Sequence, residues 1–437
     1  MDAAIPSGIT MGSSTFEQAA RAILARQHVR AAGPSDAVAG VQPQLVVEPG
    51  SEQELAKVLK LANEAGLAVI PRGGGTKLAW GNPPNRADLI QSTARLNRVL
   101  EHPWADMTVT VEAGCTIQTL QETLAQHGQR LALDPLWPSR ATVGGVLSTN
   151  DSGVLRLRFG ALRDLIIGVT LALPDGTLAS SGGKVVKNVA GYDLPKLATG
   201  AFGTLGMITR AVFRLHPVPR NSRTFTILAR DVDETQKLIL AIQDSKLAHT
   251  AMQARFSADA PPQIDILFEG TKAGLAAQQI QVTMLAAQAT LREVAPDVWN
   301  ARQETCSLSK AHASDGSVVA TVIAKLCILP ASMAATLQCV ARVANAPRLC
   351  WKAVMQATGI GCLRLAGTPE ALPTALKSLR DHLEHAGGSL TMLEQVSLPA
   401  PFDAWGGIGD ALPLMRAVKR QLDPKTTLNP GRFVGGI

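Results

Sequence analysis

Residues 67–76 read Leu67-Ala68-Val69-Ile70-Pro71-Arg72-Gly73-Gly74-Gly75-Thr76, an apolar run that passes straight into three consecutive glycines between an arginine and a hydroxyl. The run has the length and composition of a short buried strand. Three glycines leave backbone N–H groups unobstructed by any Cβ, so the loop can close round an oxyanion, with Thr76 as a further donor. Taken by itself, the same loop also reads as a plain tight turn. Upstream, Ser51 and Glu54 make a capping box, Leu55, Val58, Leu59 and Ala62 share one helix face, and Gly66 sits where that helix stops. Downstream the logic repeats: Thr108-Val-Thr-Val111 alternates as a strand, Gly114 turns the chain, Thr116 caps a helix over 117–127, and Gly128 ends it.

Two more segments share this glycine density. Residues 138–160 hold Thr142-Val-Gly144-Gly145, Ser148-Thr-Asn150 and Ser152-Gly153, small donors suited to a pyrophosphate or to the polar edge of a heterocycle. Residues 184–209 hold Lys187-Asn188-Val-Ala-Gly191-Tyr192-Asp193-Leu-Pro-Lys196 and Gly203-Thr-Leu-Gly206-Met-Ile208-Thr209. The familiar nucleotide motifs are excluded. A dinucleotide fingerprint starting at Gly73 needs glycine at 78, where Leu78 stands, and Gly183-Lys184 is followed by Val185 where a phosphate-binding Walker loop requires Ser or Thr. Three loops in this order therefore point to a nucleotide cofactor held by a different α+β fold.

The chain of 437 residues exceeds one compact core and fits two domains, and its 46% hydrophobic and 18% charged content excludes disorder. Residues 1–40 form a helix and linker, 41–219 a first α+β domain and 220–400 a second, with strands expected at 264–268 and 318–329 and helical stretches at 276–294, 331–344 and 371–386. Residues 401–437 form a tail whose Leu428-Asn429-Pro430-Gly431-Arg432 cannot continue a helix. A net charge of +7, from 42 basic and 35 acidic residues, comes without interleaved aromatics, which argues against nucleic acid. Cys115, Cys306, Cys327, Cys339, Cys350 and Cys362 form no C-x-x-C pair, so free thiols in a reducing, cytoplasmic setting are expected and no metal site is. His382 and His385 share a helix face but have ordinary acidic surface neighbours. No secretory signal opens the chain and no 18-residue stretch is free of charge, so membrane contact, on the inner face, would come only through partners.

The order R-G-G-G-T, then P-x-x-x-T-V-G-G-x-x-x-x-N, then G-Y-D-L-x-K-L and G-T-L-G-x-I-T resembles the FAD-binding domain of the vanillyl-alcohol oxidase/p-cresol methylhydroxylase superfamily, and Leu428–Arg432 resembles its closing motif. Within it, residues 187–197 look most like the smaller, GlcE-type FAD-binding subunit of bacterial glycolate oxidase. The resemblance implies a two-subdomain FAD-binding domain of the p-cresol methylhydroxylase type, a second α+β domain of the cap type, and a tail returning to the FAD domain. It implies FAD contacts at Arg72, Gly73, Gly74, Gly75, Thr76, Thr142, Gly144, Gly145, Ser148, Asn150, Gly153 and Ile208. Covalent members carry His where Thr76 stands, so the FAD is expected to be non-covalent. It also implies glycolate oxidation to glyoxylate beside a larger FAD-binding subunit and an iron–sulfur subunit. The H-x-G-D-G-N-x-H segment of the catalytic relatives is reduced here to His312-Ala-Ser-Asp315-Gly-Ser317, so catalytic residues are not fixed. Tyr192, His312 and Arg432 are the candidates for gripping a substrate carboxylate, and Lys187 and Arg432 for balancing charge on the reduced ring. A self-sufficient glycolate or D-lactate dehydrogenase, or a structural subunit with a decayed flavin site, are the alternatives.

Overall fold

The computed structural model describes residues 13–184, 191–287, 289–307, 319–345 and 348–437. The described residues are α+β, built on sheets of four, five and eight strands, with a two-stranded pair of Gln129–Arg130 and His216–Pro217. In the first, strands Leu45–Val47, Leu89–Ser92 and Val69–Arg72 run parallel, with Val29–Ala31 antiparallel at one edge. The helix Glu52–Glu64 covers it. Ser51 Oγ accepts the Glu54 N–H, and the Glu54 carboxylate reaches back to the Gly50 N–H, one residue earlier than a reciprocal box would place it. Leu55, Val58, Leu59 and Ala62 bury the predicted face against Val69, Leu89 and Phe16 of the helix Ser13–Ile23. Gly66 stops the helix at φ 69°, a left-handed turn that favours glycine.

The second sheet is antiparallel and runs Val99–Glu101, Thr108–Glu112, Met207–Arg214, Ile166–Ala172, Leu178–Gly182. Thr108–Glu112 alternates in sequence, yet every residue in it is buried. Val109 and Val111 face a core closed by the helices Ile117–Ala125 and Val143–Thr149, while Glu112 on the other face is bound by the Arg98 guanidinium. Helix Val143–Thr149 corrects the reading of 138–160 as an irregular loop: its paired glycines start a helix, with Asn150 closing it in a left-handed conformation.

The third sheet spans Asn221–Val396 with eight antiparallel strands, its core sealed by helices that include Val232–Gln243, Met333–Asn345 and Ala371–His385. The helix expected over 276–294 ends at Ala286, and Thr290–Val294 becomes an edge strand on Thr224–Leu228. Apolar spacing carries on through both elements, so periodicity alone does not mark the boundary. The tail lies against the first sheet. Val69 N–H donates to Thr427 O at 2.7 Å and Asn429 N–H to Val69 O at 3.0 Å, extending that sheet beside Val69–Arg72. No helix among the described residues is long and apolar enough to cross a membrane.

Candidate flavin site

Strand Val69–Arg72 delivers the glycine loop to the boundary between the first two sheets. A Cβ on Gly74 would fall 1.7 Å from Arg140 O, and one on Gly73 would fall 2.1 Å from Thr142 Oγ1. These two glycines are thus required because the loop interlocks with the segment leading into helix Val143–Thr149. Gly144 is pinned in the same way, its Cβ position lying 2.9 Å from that of Ala113. At Gly75 the demand is conformational, with φ at 71° and only an ordinary contact, Leu78 Cδ1 at 3.8 Å, at the Cβ position. The Arg72 guanidinium turns toward Asp36 at 2.7 Å, a carboxylate that Arg30 also binds at 2.7 and 2.9 Å. Those bonds, Arg30 first, hold Asp36 well below the usual carboxylate range against the opposing effect of burial.

The interlocked loops wall a pocket in which backbone and hydroxyl groups alternate with apolar side chains. Of the expected cofactor residues, Arg72, Gly73, Gly74, Gly75, Thr76, Thr142, Gly144, Gly145, Ser148 and Ile208 all line it. Asn150 and Gly153 do not. Asn150 faces a second, smaller cavity, and Gly153 is packed so that a Cβ would sit 2.1 Å from the Asp134 carboxylate. Tyr192 is 91% exposed and lies off the pocket. Its backbone carbonyl accepts the Ser181 hydroxyl, so the chain's single tyrosine marks a surface turn. His312 and Lys187 lie outside the described residues.

Arg432 does reach the pocket. One guanidinium nitrogen donates to Leu78 O at 2.5 Å and Trp80 O at 2.8 Å, the group lies 5.3 Å over the Phe202 ring, and burial lowers its pKa to about 10. Sequence reasoning missed Lys77, Phe202 and Asn429 as lining residues. Asn429 sat inside the recognised tail motif, which was the available signal. It adopts φ 47° and donates to Phe202 O at 2.6 Å. Lys419 of the helix Leu412–Leu422 fixes this turn in place, donating to Thr204 O, Leu428 O and the Asp423 carboxylate.

Thr142 Oγ1, Asn429 Oδ1 and Arg432 Nε are buried without a hydrogen-bond partner among the described residues, and all three residues line the pocket. Buried polar atoms are normally satisfied, so three orphans round one cavity call for a polar ligand. Donors and acceptors from four separate segments, with apolar Leu78, Phe202, Met207 and Ile208 between them, suit a dinucleotide with a flat ring system.

Fold and site together define a flavin-binding protein. Residues 43–182 match the family model described as FAD binding domain, and FAD is the cofactor of this segment. The chain is 30% identical over 211 residues to glycolate oxidase subunit GlcD of Bacillus subtilis, covering 48% of this chain and 45% of that protein. It is 33% identical over 198 residues to a D-lactate dehydrogenase of Archaeoglobus fulgidus, covering 45% of this chain and 44% of that protein. The chain thus spans about half the length of these curated relatives. Among solved structures, p-cresol methylhydroxylase superposes with a TM-score of 0.76 at 16% identity, covering 96% of each chain. An alkyldihydroxyacetonephosphate synthase superposes at 0.73 with 19% identity, covering 98% of this chain and 86% of that one. These two similarities establish the shared fold.

Proposed function

We propose that this chain is the FAD-carrying subunit of an oxidoreductase that converts a small 2-hydroxy acid, glycolate foremost, to the 2-oxo acid, working beside a larger FAD-binding subunit and an iron–sulfur subunit. The observation that carries the reading is the convergence of both glycine segments, the stretch 203–208 and the tail residues Asn429 and Arg432 on one pocket with unsatisfied polar walls. The names of the relatives, a glycolate oxidase subunit and a D-lactate dehydrogenase, supply the substrate class.

Within this reading the backbone of residues 73–76 and of 144–145 cradles the pyrophosphate, Thr142 and Ser148 add hydroxyl contacts, and Ile208 packs beside the cofactor. Arg432 places its buried cation beside the pocket, where it favours any charge state that gains an electron pair. Bound FAD supplies the two-electron acceptor for a hydride leaving the carbinol carbon. Thr76 offers no imidazole for a covalent link, so the FAD is dissociable. The test is anaerobic addition of glycolate or D-lactate to the purified, flavin-loaded chain, alone and with its co-expressed partners. Bleaching of the flavin absorbance with partners present is expected. A yellow complex indifferent to every small 2-hydroxy acid would overturn the assignment.

A further inference from the structure

A second, narrow cavity separates the flavin-site side of the molecule from the eight-stranded sheet. Trp80, Asn150, Asp151 and Ser152 form one wall, and Arg302, Lys325, Gln356, Cys362 and Leu393 the other. Along strand Ala320–Cys327 side chains alternate between faces. Val322, Ala324 and Leu326 enter the core under the helices, whereas Ile323 packs in the cluster with Trp80 and Phe202. Lys325 is next on the Ile323 face, where an apolar residue would continue the pattern. It is half-buried, lines the cavity, and makes no hydrogen bond or ion pair among the described residues.

The nearby counter-charge is already in use. Asp151 accepts a hydrogen bond from Arg302 and an ion pair from Lys77 at 3.1 Å, as well as the Leu136 N–H at 2.9 Å. Asp134, buried beside Arg302, binds the N–H groups of Val154 and Leu155. Arg156 adds a further cation to the surroundings of Lys325. Lys77, Arg302 and Lys325 therefore share Asp151 and Asp134, Arg156 has Asp164 near it, and Lys325 lines the cavity without a partner among the described residues. An ammonium partly withdrawn from water and without a counter-ion is stabilised when an anion meets it.

We infer that this cavity is the site for the carboxylate of a small organic acid, with Lys325 as the receiving cation and Trp80, Ile360 and Leu393 limiting the substituent to a small one. The inference rests on the 2-hydroxy acid reading for its ligand class and assigns the binding residue that Tyr192 does not supply. A singly charged carboxylate matches one uncompensated ammonium. Burial pulls the Lys325 pKa down, and a bound carboxylate would restore its charge.

The test is calorimetric titration of the full chain with oxamate, a non-oxidisable carboxylate, and with inorganic phosphate as the competing anion. Lys325→Met should weaken oxamate roughly ten- to a hundredfold, the worth of one charge-assisted hydrogen bond. Lys325→Arg should retain most of the affinity. Without ligand, Lys325→Met should melt no lower than the wild type, because it removes an unpaired, half-buried charge, whereas a merely structural lysine would melt lower when replaced. Undiminished oxamate binding by Lys325→Met, no binding by the wild type, or equal affinity for phosphate would overturn the inference. A colourless chain that still binds oxamate through Lys325 would uphold this site and remove the flavoprotein reading. A flavin-loaded chain that binds no oxamate would do the reverse.

Discussion

Replacing Asp151 by Asn removes one charge and leaves the side-chain volume intact, yet it should be among the most damaging single changes to stability. The carboxylate is fully buried and compensates Lys77 and Arg302, which come from separate parts of the chain and are themselves buried. Burial pushes Asp151 up, but the Arg302 and Lys77 charges and the Leu136 N–H outweigh it and hold its pKa at about 2. Removing one partner of a buried ion pair costs about 3–5 kcal/mol, because the surviving charge stays buried without compensation. Here two cations survive, so the upper half of that range is expected, a large share of the 5–15 kcal/mol typical of folded domains. Denaturant unfolding of wild type and Asp151→Asn measures it, with Lys60→Ala, from an exposed pair at 3.9 Å to Glu64, as a control expected to change little. Because the folded pKa lies below the ordinary aspartate value of 3.8, the Asp151 contribution is fully present above that value and fades as pH falls toward about 2. A stability loss below about 1 kcal/mol for Asp151→Asn would refute the reasoning.

Three further outcomes follow from the geometry. Gly74→Ala must displace either its own loop or the backbone at Arg140, so the purified variant should lose most of its FAD, read as the ratio of flavin to protein absorbance. Asp134 behaves oppositely to Asp151: burial, only partly offset by Arg302 and two N–H groups, raises it from 3.8 to about 6. Its ionised form therefore destabilises the fold by about 3 kcal/mol as pH rises from near 4 through 6, and Asp134→Asn should be more stable than wild type at pH 7 but not at pH 4, measured by denaturant unfolding. Tyr192→Phe, at an exposed turn, should leave flavin content and hydroxy acid reduction unchanged.

The flavin pocket was largely legible in the sequence because its walls are glycine segments, whose reason to exist is local backbone geometry. Even so, the reason proved partly different: Gly73, Gly74 and Gly144 are small so that loops can interlock, whereas Gly75 and Gly203 answer to a positive φ. Gly153 lies off the pocket lining, and its lack of a side chain makes room for Asp134. The Lys77–Asp151–Arg302 cluster was not legible, because pairing between positions 151 residues apart leaves no periodic or motif trace. Lys325 did leave one: a lone charge inside Ala320–Cys327, which otherwise reads as a buried apolar strand.

The central claim is that the pocket between the interlocked glycine loops holds one dissociable FAD. Acid precipitation of the purified chain, with chromatography of the supernatant against protein concentration, tests it most directly. Close to one FAD per chain is expected, all of it released into the supernatant. A chain that stays colourless after incubation with FAD, or a flavin that precipitates with the protein, would contradict it.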